Sequence, residues 1–426
     1  MRRTLFLIPH EIGGIPVFGV GWILFAILVG FAIRLVVARK RGQSLSKVLT
    51  SEGLMWGAVA AAVVFLLPTI ELPNLDGEPI GMAVRGYGVM LLTGVGSAVL
   101  LAAYRAKQRG FDPELIYSIA PWAFFGGILG ARLFFVIQYR DEFISDSIGA
   151  TLVNMLKFTE GGLVVYGSFI GGFLAVSFYL IRRQLPWLKF GDVIVPCMFL
   201  GVFFGRIGCV MNGCCYGGRC EDNAFALHFP PTSPVYQEQL HSGDLLGFRY
   251  DPETRRIESV RDGSLASDAG IQEGTHLDDF ANDFTPLKMA SREIPREDAL
   301  TGIVATVDGR RYRWSPEELP ATAMPVFAAQ LLSSFCSLVL CILLCAIPAN
   351  RFRDGTVMLL GFASYAVLRF VLELVRVDEG GQFGTNLSIS QWVSVIVLSG
   401  SIIGMWWIYR NPTDLPLKPQ QSPGST

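Results

Sequence analysis

Two short stretches hold the residues best suited to chemistry. The first is Gly205-Arg206-Ile207-Gly208-Cys209-Val210-Met211-Asn212-Gly213-Cys214-Cys215-Tyr216-Gly217-Gly218, which closes an apolar run long enough to cross a bilayer. The second is Arg369-Phe370-Val371-Leu372-Glu373, followed by Arg376, inside another such run. A guanidinium in an apolar span is unfavourable by roughly 2.5–3.5 kcal/mol at the helix centre, so it faces protein or a water-filled cavity and marks a functional site. The glycines beside Arg206 admit a neighbouring backbone or a lipid headgroup. Asn212 adds an amide that both donates and accepts. Fixed cations in apolar surroundings suit an anionic lipid phosphate. The competing reading is that long basic chains snorkel to headgroups. It fits Arg85 and Arg376 better than Arg206 and Arg369, which have further apolar residues beyond them and polar partners close in sequence.

The elements that must position these residues are membrane spans. Of the 426 residues, 51% are hydrophobic and only 17% charged, with a net charge of −1. Mean hydropathy is +0.44. No soluble domain needs so many long apolar runs, and no basic patch, P-loop or dinucleotide fingerprint points to a nucleic acid or nucleotide. The hydropathy predicts about nine transmembrane helices, near 16–38, 54–70, 86–104, 116–138, 163–181, 190–211, 325–347, 356–376 and 389–409. The second is the weakest, because it is short and interrupted by Pro68. The first lacks a small-residue cleavage site and is followed by Arg39-Lys40-Arg41, so it reads as an anchor rather than a signal peptide.

Orientation follows from the basic loops. Arg39-Lys40-Arg41, Arg105 with Lys107 and Arg109, Arg182 with Arg183 and Lys189, Arg351 with Arg353, and Arg410 follow the odd-numbered segments. The N-terminus and the stretch 217–323 are therefore expected outside, in the periplasm, and the C-terminus in the cytoplasm. Tyr87, Arg132, Tyr166, Arg206, Asn212, Gln330, Tyr365, Arg369 and Glu373 then gather in or near the outer half of the bilayer.

These motifs resemble the bacterial prolipoprotein diacylglyceryl transferases, whose signature runs Gly-Arg-x-Gly-(Asn)-x-x-Asn-Gly-x-x-x-Gly. The resemblance covers roughly 80–218 and 325–410. Arg85-Gly86-Tyr87-Gly88 is similar to the start of that family's first core helix. Gly130-Ala131-Arg132-Leu133, the run from Gly161-Gly162-Leu163 through Tyr166 to Gly171-Gly172, Asp192, Pro196, and Tyr365 ahead of Arg369-Phe370-Val371-Leu372-Glu373 follow in the same order. The resemblance implies an all-α polytopic inner-membrane protein, with a seven-helix core, two extra N-terminal helices and a small mixed α/β periplasmic insert. It implies transfer of the diacylglyceryl group of phosphatidylglycerol to a prolipoprotein cysteine, with the lipid, the signal peptide and the bilayer as partners and no cofactor, metal or nucleic acid. Arg206, Arg369 and Tyr166 are then the expected catalytic residues. Tyr87, Arg132, Asn212, Gly217, Gln330, Tyr365 and Glu373 are the expected substrate-binding residues.

The chain departs from the family at several places. Tyr166 stands where many members carry a histidine, and a phenol, with an ordinary pKa of about 10, is a poor base at neutral pH. Cys209 replaces an asparagine and Cys214 a glutamate. Pro325-Val326-Phe327-Ala328-Ala329-Gln330-Leu331-Leu332 keeps only Gln330 and Leu331 of His-Pro-Ser/Thr-Gln-Leu-Tyr. The organisation expected is 1–80 for the two extra helices, 81–216 and 324–410 for the core, 217–323 for the insert, and 411–426 for a disordered tail. Within the insert, 255–280 resembles part of a PDZ domain; peptide binding and a plain structural cap are both open there. Cys197, Cys336, Cys341 and Cys345 read as small buried residues. Cys214, Cys215 and Cys220 lie where an oxidising compartment permits a bridge from Cys220 to Cys214 or Cys215. His228 stands alone and the spacing fits no zinc finger. Two other function classes remain: a polytopic transporter or flippase, and a non-catalytic periplasmic peptide receptor.

Overall fold

The computed structural model describes residues 3–42, 44–74, 76–143, 155, 164–283, 300–348, 352–374, 385 and 387–411. Arg376, Gly161-Gly162-Leu163 and the tail after 411, singled out above, lie outside the described residues. Among those described, seven helices are long and apolar enough to span a bilayer: Trp22–Lys40, Gly86–Gln108, Glu114–Gln138, Trp187–Asn212, Ala329–Ala346, Thr356–Glu373 and Ile389–Arg410. The other two expected spans also form helices, Leu45–Phe65 and Val165–Arg182. Their described apolar stretches are Met55–Phe65 and Tyr166–Arg182. Each of the nine predicted segments is thus helical among the described residues, and seven of them are long and apolar enough to cross a bilayer. The spanning helices turn Leu92, Phe125, Leu129 and Ile396 outward, as a lipid solvent allows. The chain is a multi-pass membrane protein.

The chain divides into two compact units. One comprises Met90–Ile207 and Ala329–Thr426, the other Met1–Val89 and Gly208–Ala328.

The first of these is helical, and small residues set its packing. Helices Glu114–Gln138 and Val165–Arg182 cross through Gly126, Gly130, Gly167 and Gly171. A Cβ on Gly130 would lie 2.3 Å from the Gly167 carbonyl oxygen, and one on Gly171 would lie 2.2 Å from that of Gly126. Such close backbone approach is how helices associate where burial from water supplies no driving force. Asp192 caps the helix Thr356–Glu373. Its carboxylate accepts the Gly355 N–H at 2.8 Å and the Met358 N–H at 2.7 Å, satisfying donors at the helix start. Arg109 pairs with Asp192 at 3.6 Å, and Arg105 donates to the carbonyls of Asp192 and Cys345. Contacts between helices Trp187–Asn212 and Thr356–Glu373 climb in step: Gly191 against Met358, Gly361 against Val195, and the Phe199 ring 6.0 Å from that of Tyr365. These two helices therefore run parallel.

The second unit contains two sheets of three strands. Strand Thr4–Pro9 pairs antiparallel with Pro79–Arg85, with Leu72–Pro73 on the other edge. The sequence reading had only helices in this region. The six-residue strand meets a partner some 75 residues away, a non-local pairing that hydropathy does not register. Beyond it, Leu277–Asp283, Gly302–Val307 and Arg310–Trp314 form an antiparallel sheet with Gly302–Val307 central. A hairpin joins Phe248–Tyr250 to Ile257–Val260, and the helix Leu265–Asp268 follows with Ser264 as its N-cap. Phe229, Leu240, Phe248, Ile257, Ala266, Leu277 and Ile303 share one apolar core.

Candidate active site

Three helices of the helical unit bring their polar ends into one hydrogen-bonded chain. Arg369 and Glu373 are four residues apart in helix Thr356–Glu373, so they share a face. The guanidinium Nη1 meets the Glu373 carboxylate at 2.7 Å, with the Glu373 side chain 4% exposed. Nη2 donates to the Ser390 hydroxyl at 2.8 Å. The Tyr166 phenol bonds that same hydroxyl at 2.5 Å. Ser390 enters through helix Ile389–Arg410, whose start is fixed by a capping box. There the Ser388 hydroxyl accepts the Gln391 N–H, and the Gln391 side chain accepts the Ser388 N–H. Tyr166 enters through the glycine-packed helix Val165–Arg182.

Ser390 escaped the sequence reading. It is the second residue of an apolar helix and has no charged neighbour, and serines in such helices usually bond their own helix backbone, as Ser394 does to the Ser390 carbonyl. Only the crossing of three helices shows that Ser390 joins Tyr166 to Arg369.

Arg206 occupies the last two turns of Trp187–Asn212, half-buried. Among the described residues it forms no hydrogen bond or ion pair with protein. The parallel packing sets its height. It lies seven residues beyond Phe199, and Arg369 lies four beyond Tyr365, so the two arginines differ by about 5 Å along the helices. One guanidinium is neutralised by Glu373, and the other, at the same end of the bundle, is not paired with protein among the described residues. Gln330, fully buried, begins helix Ala329–Ala346. Tyr365 sits one turn before Arg369, half-buried.

Arg132 has different company. It is 5% exposed, donates from Nε to the Met155 carbonyl at 2.8 Å, and lies over the Phe135 and Phe143 rings at 5.5 and 5.3 Å. Those contacts tie helix Glu114–Gln138 to the segment that follows it.

Three expected residues belong to the other unit. Tyr87 opens helix Gly86–Gln108 and is 40% exposed. Asn212 ends its helix, and the chain turns at Gly213, whose φ of +74° is left-handed. A Cβ on Gly213 would also lie 2.8 Å from that of Ser233. Gly217 donates its N–H to the Phe327 carbonyl at 2.9 Å, and a Cβ there would lie 2.9 Å from the Phe327 Cβ. Its glycine is thus required by backbone contact with strand Val326–Phe327.

None of the eight cysteines is in a disulfide, so neither bridge considered for Cys220 is formed. Burial pushes the Cys220 thiol up from its ordinary value, with the neighbouring Asp222 carboxylate adding to the effect.

The profile described as prolipoprotein diacylglyceryl transferase matches residues 79–407. A phosphatidylglycerol–prolipoprotein diacylglyceryl transferase of Rhodopirellula baltica is 42% identical over 100% of this chain and 92% of its own. One from Corynebacterium glutamicum is 26% identical over 80% of this chain and 83% of its own. One from Clostridium tetani is 37% identical over 33% of this chain and 54% of its own. The chain belongs to the prolipoprotein diacylglyceryl transferase family.

Proposed function

We propose that this protein transfers the sn-1,2-diacylglyceryl group of phosphatidylglycerol to the lipobox cysteine thiol of prolipoproteins. The sulfur attacks the glycerol carbon that bears the phosphate ester. A C–S bond forms, the C–O bond breaks, and glycerol phosphate leaves with the bonding electrons. The thiol proton is released to a base or to water.

The observation that carries this reading is the unpartnered guanidinium of Arg206 beside a clamped Arg369 at one end of a membrane bundle. Arg206 takes the lipid phosphate and stabilises the charge that develops on the leaving group. Arg369 adds to that field, and Glu373 fixes its fork. Ser390 accepts from Arg369 and shares a hydrogen bond with the Tyr166 phenol, which ties Tyr166 to the clamped arginine. Tyr166 orients the thiol, and the arginines favour its thiolate form. Asn212, Tyr87 and Tyr365 orient the headgroup, while Gly217 and Gln330 shape the surrounding backbone and polar floor. Arg132 contributes to the binding region by holding its helix.

The site faces the periplasm across the inner membrane, with the C-terminus in the cytoplasm. In support, Arg105, Arg109, Arg182, Arg353 and Arg410 lie at the opposite helix ends. Lipid and signal peptide both arrive laterally from the bilayer. The region 217–323 lies in the periplasm, and no nucleic acid takes part.

The test is a transfer assay in liposomes with phosphatidylglycerol and a lipobox peptide, read by peptide mass. A gain of one diacylglyceryl unit that disappears in Arg206→Ala is the expected result. No gain from folded protein would sink the proposal.

A further inference from the structure

Three cysteines that the transfer reaction does not use come together where helix Trp187–Asn212 ends. The sulfurs of Cys209, Cys214 and Cys215 all lie within 4.8 Å of one another. Cys209 is in the last turn of the helix. The chain then folds back on it: the Gly213 and Cys214 N–H groups both donate to the Cys209 carbonyl, at 2.9 and 3.1 Å. Gly213 and Cys215 are both left-handed, with φ of +74° and +59°. A left-handed backbone is uncommon for any residue but glycine. Here it lets two consecutive side chains turn toward the same point. The three thiols are half-buried and unbridged.

We propose that Cys209, Cys214 and Cys215 bind one thiophilic d10 divalent cation of the zinc class. The geometry is close to what such an ion requires. Three thiolates about 2.3 Å from a tetrahedral centre stand roughly 3.8 Å apart, so the sulfurs need to close by only about 1 Å. A disulfide needs sulfurs about 2 Å apart, a larger movement, and one joining Cys214 to Cys215 would also strain the adjacent backbone. Thiolate donors without carboxylate or carbonyl oxygens select soft ions over calcium or magnesium. Among the described residues the donor group ends at three. The fourth tetrahedral position is therefore left to water or an external ligand, the pattern of an open rather than a purely structural site. Nothing in the sequence spacing indicates this. Cys209 is separated from Cys214 by four residues, and only the reversal at Gly213 brings them together.

The test uses full-length protein in detergent, reduced and stripped with chelator, titrated with Cd²⁺ as a spectroscopic probe and with Zn²⁺ in competition. A thiolate-to-metal charge-transfer band that saturates at one Cd²⁺ per chain and is reversed by Zn²⁺ is expected. Cys209→Ser should weaken binding by more than the roughly 10–100-fold that loss of an outer partner typically brings. Cys336→Ser, in helix Ala329–Ala346, should leave it unchanged. If Cys209→Ser does not fold, alkylation of the wild type gives the same information. Zn²⁺ should then protect Cys209, Cys214 and Cys215, read by mass spectrometry, and leave Cys220 reactive. No saturable band, an unaltered band in Cys209→Ser, or equal alkylation with and without Zn²⁺ would overturn the proposal. These readouts do not depend on transfer activity, so the site and the proposed reaction stand or fall separately.

Discussion

The region around 217–323 and the spanning helices place their large apolar side chains differently. In the former, Phe229, Leu240, Phe248 and Ile257 are at most 1% exposed. In the latter, Leu92 is 74% exposed and Phe125 68%, while Gln330, Ser337, Ser390 and Glu373 are hidden. The same physics operates in two solvents. Water drives apolar groups together at roughly 25 cal/mol per Å², whereas lipid tails are as apolar as leucine and give helices no such drive. In the helices close packing and polar contacts hold the structure. One ion pair from each region differs in the same way. Arg369–Glu373 is enclosed, whereas Arg249 pairs with Asp244 at 3.6 Å with its own side chain 68% exposed.

The contrast can be broken most directly by truncating large apolar residues on each side of it. Phe248→Ala should destabilise its region by about 3–5 kcal/mol, seen as faster hydrogen exchange across 226–327 in the full-length protein. Leu92→Ala, on a lipid-facing position, should leave exchange and thermal stability in detergent nearly unchanged. Similar losses from both would mean that the outward apolar faces are packed rather than solvated by lipid. Glu373→Gln should destabilise the helical unit by about 3–5 kcal/mol, because it leaves Arg369 without its counter-charge in an enclosed setting. Thermal unfolding in detergent checks this.

Arg206→Ala should lower the transfer rate by roughly 10²–10³-fold with little change in stability, since it removes one electrostatic stabiliser. Tyr166→Phe should lower it by only about tenfold, the size of one hydrogen bond worth about 1.4 kcal/mol. Equal losses would make the phenol, not the arginine, the centre of the chemistry. Arg249→Ala, breaking the exposed pair, should change stability by only about 0–1 kcal/mol.

The smallest effect is a pH dependence. The Gly309 N–H and then His276 bond the Asp278 carboxylate and hold it below its ordinary value of 3.8. A depressed carboxylate adds stability that is complete above the unfolded value and is lost as pH falls from there through the folded value. Exchange in 277–314 should therefore accelerate below about pH 4, and Asp278→Asn should flatten that dependence.

Much of this protein was legible from composition and motif. Long apolar runs require bilayer-spanning helices, because backbone polar groups in lipid must be satisfied within the segment. Charges inside those runs stand out because they are unfavourable there, so Arg206, Arg369 and Glu373 were marked by residue type alone. The i,i+4 spacing even paired Arg369 with Glu373. The sequence could not show that Arg206 is left bare while Arg369 is clamped, since that depends on which side chains neighbouring helices bring. Ser390 gave no signal, because a serine in an apolar run is ordinary until another helix places a phenol against it. The sheet of Thr4–Pro9 with Pro79–Arg85, and the meeting of Cys209 with Cys214 and Cys215, also required the folded chain. Both rest on backbone reversals that bring separated residues together, and no local preference or periodicity encodes where those reversals end.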